Sequence, residues 1–190
     1  MDVNIIAVMS ATLMALKKME GRNGCKIVNI ASMAGIVPGS DKESLPYTVS
    51  KTGVVSLSRT LAANKEQHGV DFLCLCPSWA DTNIVSSIDP RHKPKADRMI
   101  KKMGGLLPPE RVGEAFMALL ASENGSVIGV LAETPIVEFF DISFPRVMLT
   151  VVVARLLSRM FGLKVVRKKH LVGALLCLLV LVQLCINFIF

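Results

Sequence analysis

Acidic residues are missing from the last quarter of this chain. All 15 Asp and Glu lie in residues 1–141, whereas residues 142–190 hold seven Lys or Arg and no acid, so the whole formal charge of +7 comes from the tail. Aromatic residues are also scarce, at 5% with one Trp and one Tyr. Too few rings interleave with the basic residues to stack bases, so the charge points to a membrane surface and away from nucleic acid. Only three histidines are present, and the five cysteines (Cys25, Cys74, Cys76, Cys177 and Cys185) show no CxxC or zinc spacing, which argues against a metal centre. They read as small apolar residues of a reducing compartment, with Cys74 and Cys76 expected on opposite faces of one strand. A Gly-rich turn that follows a strand and opens a helix is absent as well. Neither Gly104-Gly105 nor the pair Gly21 and Gly24 stands in such a place, so these residues provide no pyrophosphate cradle.

A long uncharged run is present. Residues 171–190 contain no Asp, Glu, Lys, Arg or His, and twenty helical residues at ~1.5 Å each reach ~30 Å, the thickness of a bilayer core. Lys164, Arg167, Lys168, Lys169 and His170 stand just before it. Basic flanks favour the cytoplasmic side, so a single-pass tail is expected, with the body in the cytosol and Phe190 toward the lumen, the endoplasmic reticulum being the expected membrane. Residues 146–163 are apolar with Arg155 and Arg159 one turn apart, which suits a helix lying in the headgroup layer. Three segments are therefore expected: a body over 1–141, a basic amphipathic juxtamembrane stretch over 142–170, and a transmembrane helix over 171–190. No signal sequence is read ahead of the body.

Within the body, apolar periodicity predicts helices over 3–20 and 47–67 and a further helix opened by Pro108-Pro109-Glu110. Continuous apolar runs predict buried strands over 26–31 and 71–76 and a last strand over 126–132, alternating with the helices as in a parallel α/β sheet. Residues 78–107 read as a polar loop with one helix and a Lys/Arg cluster between Arg91 and Lys102. His68 is expected on the surface and His92 in this loop. Trp79 is expected either at the mouth of a site or as a core residue at the sheet edge.

Chemistry concentrates at Tyr47 and Lys51, four residues apart, with Ser32 upstream at the end of the strand Lys26 to Ala31. Four residues make about one helical turn, so the phenol and the ammonium share a helix face. A nearby ammonium favours the ionised phenol, which suits it to proton exchange with an alcohol or carbonyl oxygen. The serine hydroxyl can hold that same oxygen.

The stretches Asp2-Val3-Asn4, Lys26 to Gly35, Tyr47 to Lys51 and Leu75 to Thr82 together resemble the short-chain dehydrogenase/reductase family, over about residues 2–131. The resemblance implies the C-terminal half of a Rossmann-like doubly wound parallel sheet, beginning near the family's fourth helix. It implies an alcohol–ketone oxidoreductase that uses NAD or NADP on a secondary alcohol. It also implies a catalytic tetrad of Asn4, Ser32, Tyr47 and Lys51, with Tyr47 as acid/base, Ser32 orienting the substrate oxygen, Lys51 tuning the tyrosine and Asn4 holding a water. Tyr47, Lys51, Pro77 and Thr82 are implied as cofactor contacts, and the helices over 3–20 and 47–67 as a dimer interface. Two departures stand out: Ser78 where relatives carry glycine, and a longer loop through Gly39 to Ser44. With the membrane tail, a lipophilic substrate is expected. The alternative is a membrane-tethered module without turnover that pairs with a full-length relative.

Overall fold

A computed structural model describes residues 1–22, 24–37 and 42–139, together with residues 155, 156, 158, 159, 162, 165 and 166. The chain opens with a π-turn, Asp2–Ile6, that runs into α1 (Ala7–Met19). Strand β1 (Lys26–Ile30) follows, then a 3-10 turn, Met33–Gly35, capped by Ser32. Helix α2 (Leu45–Ala63) starts two residues before the expected position because Pro46 sits in its first turn, where a missing N–H costs nothing. It ends at Asn64 and gives way to a short α3 (Lys65–His68), which divides the single helix expected over 47–67.

Strand β2 (Asp71–Pro77) is central. It pairs in parallel with β1 on one side, Lys26 opposite Asp71, and with β3 (Val127–Val130) on the other, Cys74 opposite Val127. Between β2 and β3 come α4 (Asn83–Ser86), α5 (Lys93–Lys102) and α6 (Pro109–Leu120), so the expected loop with one helix contains two. The strand expected to be last is followed by two more. Strand β4 (Ile136–Phe139) returns antiparallel to β3, and β5 (Val165–Val166) pairs in parallel with β4. Both escape a reading by periodicity because they are short and lack alternation.

Successive β2 side chains point to opposite faces, which sorts the core into layers. Cys74 and Cys76 face α2, meeting Val54, Val55 and Met33, with Ile5 and Val8 packed alongside. Leu73 and Leu75 face α6, meeting Ala115 and Leu119. Helices on both faces of a sheet whose first three strands are parallel make the Rossmann-like layering expected from the sequence, and the antiparallel β4 departs from the all-parallel expectation. The two cysteines share one face, contrary to expectation, because side-chain direction repeats every second residue; their sulfurs lie 4.0 Å apart. His68 is also misplaced by the sequence reading. It is buried at 8% exposure, with Nε2 against the Leu61 carbonyl at 3.0 Å, Nδ1 accepting from the Val70 N–H, and its ring edge-on to Phe72.

Among the described residues no helix is long and apolar enough to cross a membrane. The span expected over 171–190 lies outside the described residues.

Candidate active site

The parallel strands end at one edge of the sheet, and the chemistry-bearing residues gather there. Lys51 on α2 donates from Nζ to the Ile30 carbonyl at the end of β1, 3.3 Å away. Its Nζ also lies 5.8 Å from the Tyr47 ring centroid, within reach of a cation–π attraction. The helical spacing thus delivers the phenol and the ammonium side by side, as their four-residue separation demands. Burial pushes the Lys51 ammonium below the usual lysine value. Tyr47 is 44% exposed, so a ligand can reach the ring from solvent.

Ser32 leaves β1 at the same edge. Its Oγ accepts from the Ala34 N–H at 3.2 Å, which caps the 3-10 turn, and donates to the Pro77 carbonyl at 3.5 Å. The ends of β1 and β2 are thereby joined through the serine. Gly35 closes that turn against α2, where a Cβ would lie 2.6 Å from the Lys51 carbonyl oxygen. Only a residue without a side chain lets the Ser32 turn approach the backbone of Lys51 this closely.

Asn4 occupies the π-turn before α1 and is half-buried. The next residue, Ile5, packs against α2 at Gly53, where an added Cβ would meet the isoleucine Cδ1 at 3.0 Å. The start of α1 is thus pressed on α2 two residues beyond Lys51. Asn4 makes no side-chain hydrogen bond to another described residue.

At the end of β2, Ser78 donates its N–H to the Val130 carbonyl at 2.9 Å. No non-glycine residue among those described has positive φ, so the turn forms with serine where a glycine was expected. The Ser78 Oγ is buried without a partner among the described residues. Trp79 is half-buried, and the backbone of residues 79–81 is fastened to Leu107, whose N–H donates to the Trp79 carbonyl at 2.7 Å. Thr82 lies beyond this clasp, exposed at the start of α4, with Oγ1 3.5 Å from the Ala80 carbonyl. The edge therefore sets Lys51 beside Tyr47 and Ser32 beside Pro77, with Lys51 reaching the end of β1 from which Ser32 departs, and leaves Thr82 exposed at the start of α4.

One polar network was not anticipated. Thr12 donates to the Asn29 side-chain oxygen at 2.9 Å, and the Asn29 amide donates to Ser58 Oγ at 3.0 Å. The Ser58 hydroxyl donates in turn to the Val54 carbonyl at 2.9 Å. All three residues are buried, so α1, β1 and α2 are tied by satisfied bonds under the site. A lone asparagine within an apolar strand was the only sequence signal for it.

Among the described residues no group of three or more His, Cys, Asp or Glu could hold a metal ion. The donor set suits the nicotinamide–ribose end of a dinucleotide: a reachable phenol, an adjacent ammonium and a serine hydroxyl at the carboxyl ends of parallel strands, where open α/β sheets bind ligands.

Residues 1–93 match the family model for short chain dehydrogenase. The chain is 28% identical over 159 residues to 15-hydroxyprostaglandin dehydrogenase (NAD+) of Mus musculus, covering 75% of this chain and 58% of the relative. It is 34% identical over 126 residues to meso-2,3-butanediol dehydrogenase of Serratia marcescens, covering 66% of this chain and 48% of the relative. Among solved structures, actinorhodin polyketide ketoreductase with NADPH superposes with a TM-score of 0.58 at 26% identity, covering 68% of this chain and 55% of the other. The chain thus spans about half the length of the curated relatives it matches, and the resemblance carried by its motifs is to short-chain dehydrogenases.

Proposed function

We propose that this chain, whose first 93 residues match the short chain dehydrogenase model, carries the proton-transfer half of an oxidoreductase that interconverts a secondary alcohol and a ketone. The observation that carries the reading is the Lys51 ammonium 5.8 Å from the centre of the Tyr47 ring, at the strand edge where Ser32 meets Pro77. Tyr47 exchanges a proton with the substrate oxygen. Ser32 turns its hydroxyl to that oxygen and orients it, while Lys51, anchored on the Ile30 carbonyl, supplies the positive charge that favours the phenolate. Asn4, at the start of the helix pressed against α2, is read as the group that holds a water for proton release. NAD or NADP, when bound, accepts or returns the hydride; Tyr47, Lys51, Pro77 and Thr82 are the residues read as holding its nicotinamide end.

The name of the prostaglandin relative and the basic, apolar tail support a lipophilic substrate such as a hydroxylated prostaglandin, a hydroxy fatty acid, a retinoid or a steroid, taken at a membrane. A single-pass anchor over 171–190 with the body in the cytosol, in the endoplasmic reticulum, belongs to the same reading. These 190 residues contain no Gly-rich pyrophosphate turn, so the chain by itself is read as inactive.

The decisive experiment joins the chain to the Gly-rich half of a relative and follows NADH or NADPH absorbance with secondary alcohols. Turnover is expected, and Tyr47→Phe should lower it by ~10²–10⁴-fold with the fold intact. A joined protein that binds cofactor without turnover, or a Tyr47→Phe variant keeping more than about a tenth of the rate, rejects the reading.

A second reading is favoured by exposed apolar side chains on the opening π-turn, α1 and α2. Val3 is 81% exposed and Met14 72%, with Leu45 at 58% and Val49 at 49%. A non-catalytic, membrane-tethered module would use these faces to pair with a full-length relative, and the same faces would serve a homodimer. Sedimentation of the chain alone and mixed with such a relative separates the two. A thermal shift of the chain alone with NAD or NADP would reject the non-catalytic reading.

A further inference from the structure

Helix α5 buries one face and leaves the other positively charged. Ala96 is buried, and Met99, Ile100 and Met103 are half-buried beside it. At 3.6 residues per turn, Arg98, Lys101 and Lys102 fall on the opposite side, and all three are exposed. Neighbouring cations are neutralised: Arg91 by Asp89 at 2.6 Å, Lys93 by Asp97 at 3.3 Å and Lys95 by Glu43 at 2.6 Å. Arg98, Lys101 and Lys102 form no ion pair with a described residue.

Apolar side chains stand at the rim of this face. Ile84 on α4 is 77% exposed and Leu106 36%. Val85 and Leu106 line one depression of about 510 Å³ together with Ile100, Lys101 and the carboxylates of Asp97 and Glu133, which sets α4 and the loop after α5 beside Lys101. Three cations without an ion-pair partner among the described residues on α5, and an exposed isoleucine on the neighbouring α4, make an amphipathic surface. A base-stacking surface would need rings, and neither α4 nor α5 contains an aromatic residue. The tail of the same chain adds seven basic residues without an acid.

We propose that the outer face of α5 docks on an anionic lipid surface, with Arg98, Lys101 and Lys102 against headgroup charges and Ile84 entering the acyl boundary. The Lys95–Glu43 pair joins α5 to the turn just before α2, so the docking face adjoins the helix that bears Tyr47.

The test places the full chain, as Trp79→Phe with Ile84→Trp, in vesicles containing brominated lipid, either phosphatidylcholine alone or phosphatidylcholine with phosphatidylserine. Tail insertion is common to both, so the fluorophore at position 84 reports on the α5 face. Quenching is expected several-fold stronger with phosphatidylserine, and lost near ~1 M salt, where the Debye length falls to ~3 Å. Arg98→Glu with Lys101→Glu and Lys102→Glu should weaken the contact on the order of a hundredfold and bring quenching to the phosphatidylcholine level. Amide exchange across residues 93–102 of the unsubstituted chain supplies a second readout, slowed only by the anionic vesicles. Equal quenching in the two vesicles, no quenching in either, or protection of α5 by single-stranded RNA in place of vesicles would overturn the proposal.

Discussion

Replacing Gly35 by alanine tests how tightly the site is framed. A Cβ at this position would lie 2.6 Å from the Lys51 carbonyl oxygen, 2.7 Å from its carbonyl carbon and 3.1 Å from the Thr52 nitrogen. All three are backbone atoms of α2, so no rotamer change relieves the overlap. Restoring an ordinary carbon–oxygen approach of ~3.3 Å requires the Ser32 turn and α2 to separate by about 0.7 Å. Overpacking of this kind costs ~1–3 kcal/mol, and a loss of about 2 kcal/mol in a chain of this size lowers Tm by ~4–8 °C. Gly113 supplies the control. It sits inside α6 with no neighbouring atom within 4 Å of a built Cβ, so Gly113→Ala should stabilise by ~0.5–1 kcal/mol. Circular dichroism melts and urea titrations of both variants measure the contrast. Two shifts of the same sign, or an unchanged melt for Gly35→Ala, would show that the close approach is not what holds the turn to the helix.

Other outcomes follow from the same packing. Asn29→Leu strands the buried Thr12 hydroxyl and removes the donor to Ser58, so a loss of ~1–3 kcal/mol is expected in urea, and a neutral result would count against the network. Arg111 donates to the carbonyls of Leu131 and Thr134, closing the link between β3 and β4; Arg111→Met should speed amide exchange in β4 and cost ~1.5–3 kcal/mol. Cys76 gives a pH test, since burial raises its thiol well above the ordinary 9.0. Above pH 9.0 the unfolded thiol ionises while the folded one keeps its proton, so this contribution is whole below 9.0 and is lost as pH rises. The fall is at most ~1.36 kcal/mol per pH unit, and Cys76→Ala should flatten the alkaline slope of the urea midpoint. The lowered Cys74 and Lys51 act with the opposite sign, and both lean on Cys76, Cys74 through their shared hydrogen bond and Lys51 through the nearby sulfur charge, so the change in slope reports these three groups together.

Local spacing was legible in the sequence because helix and strand periods are local properties. The four-residue step from Tyr47 to Lys51 put phenol and ammonium on one helix face before any fold was known. Apolar runs at 26–31 and 71–76 marked buried strands, and their alternation with helices marked the layered sheet. What the sequence could not decide was which distant segments meet. The Ser32–Pro77 contact joins residues 45 apart, and the Thr12–Asn29–Ser58 chain joins two helices across a strand. His68 looked like a surface residue because its two backbone partners depend on how α3 turns into β2. The short β4 escaped because its hairpin is held by Arg111 from another element and by pairing with β3, not by an alternating pattern of its own. A side chain's direction is set within one turn or one pleat, whereas its neighbours and its exposure are set only when the parallel sheet and its two helical layers close upon each other.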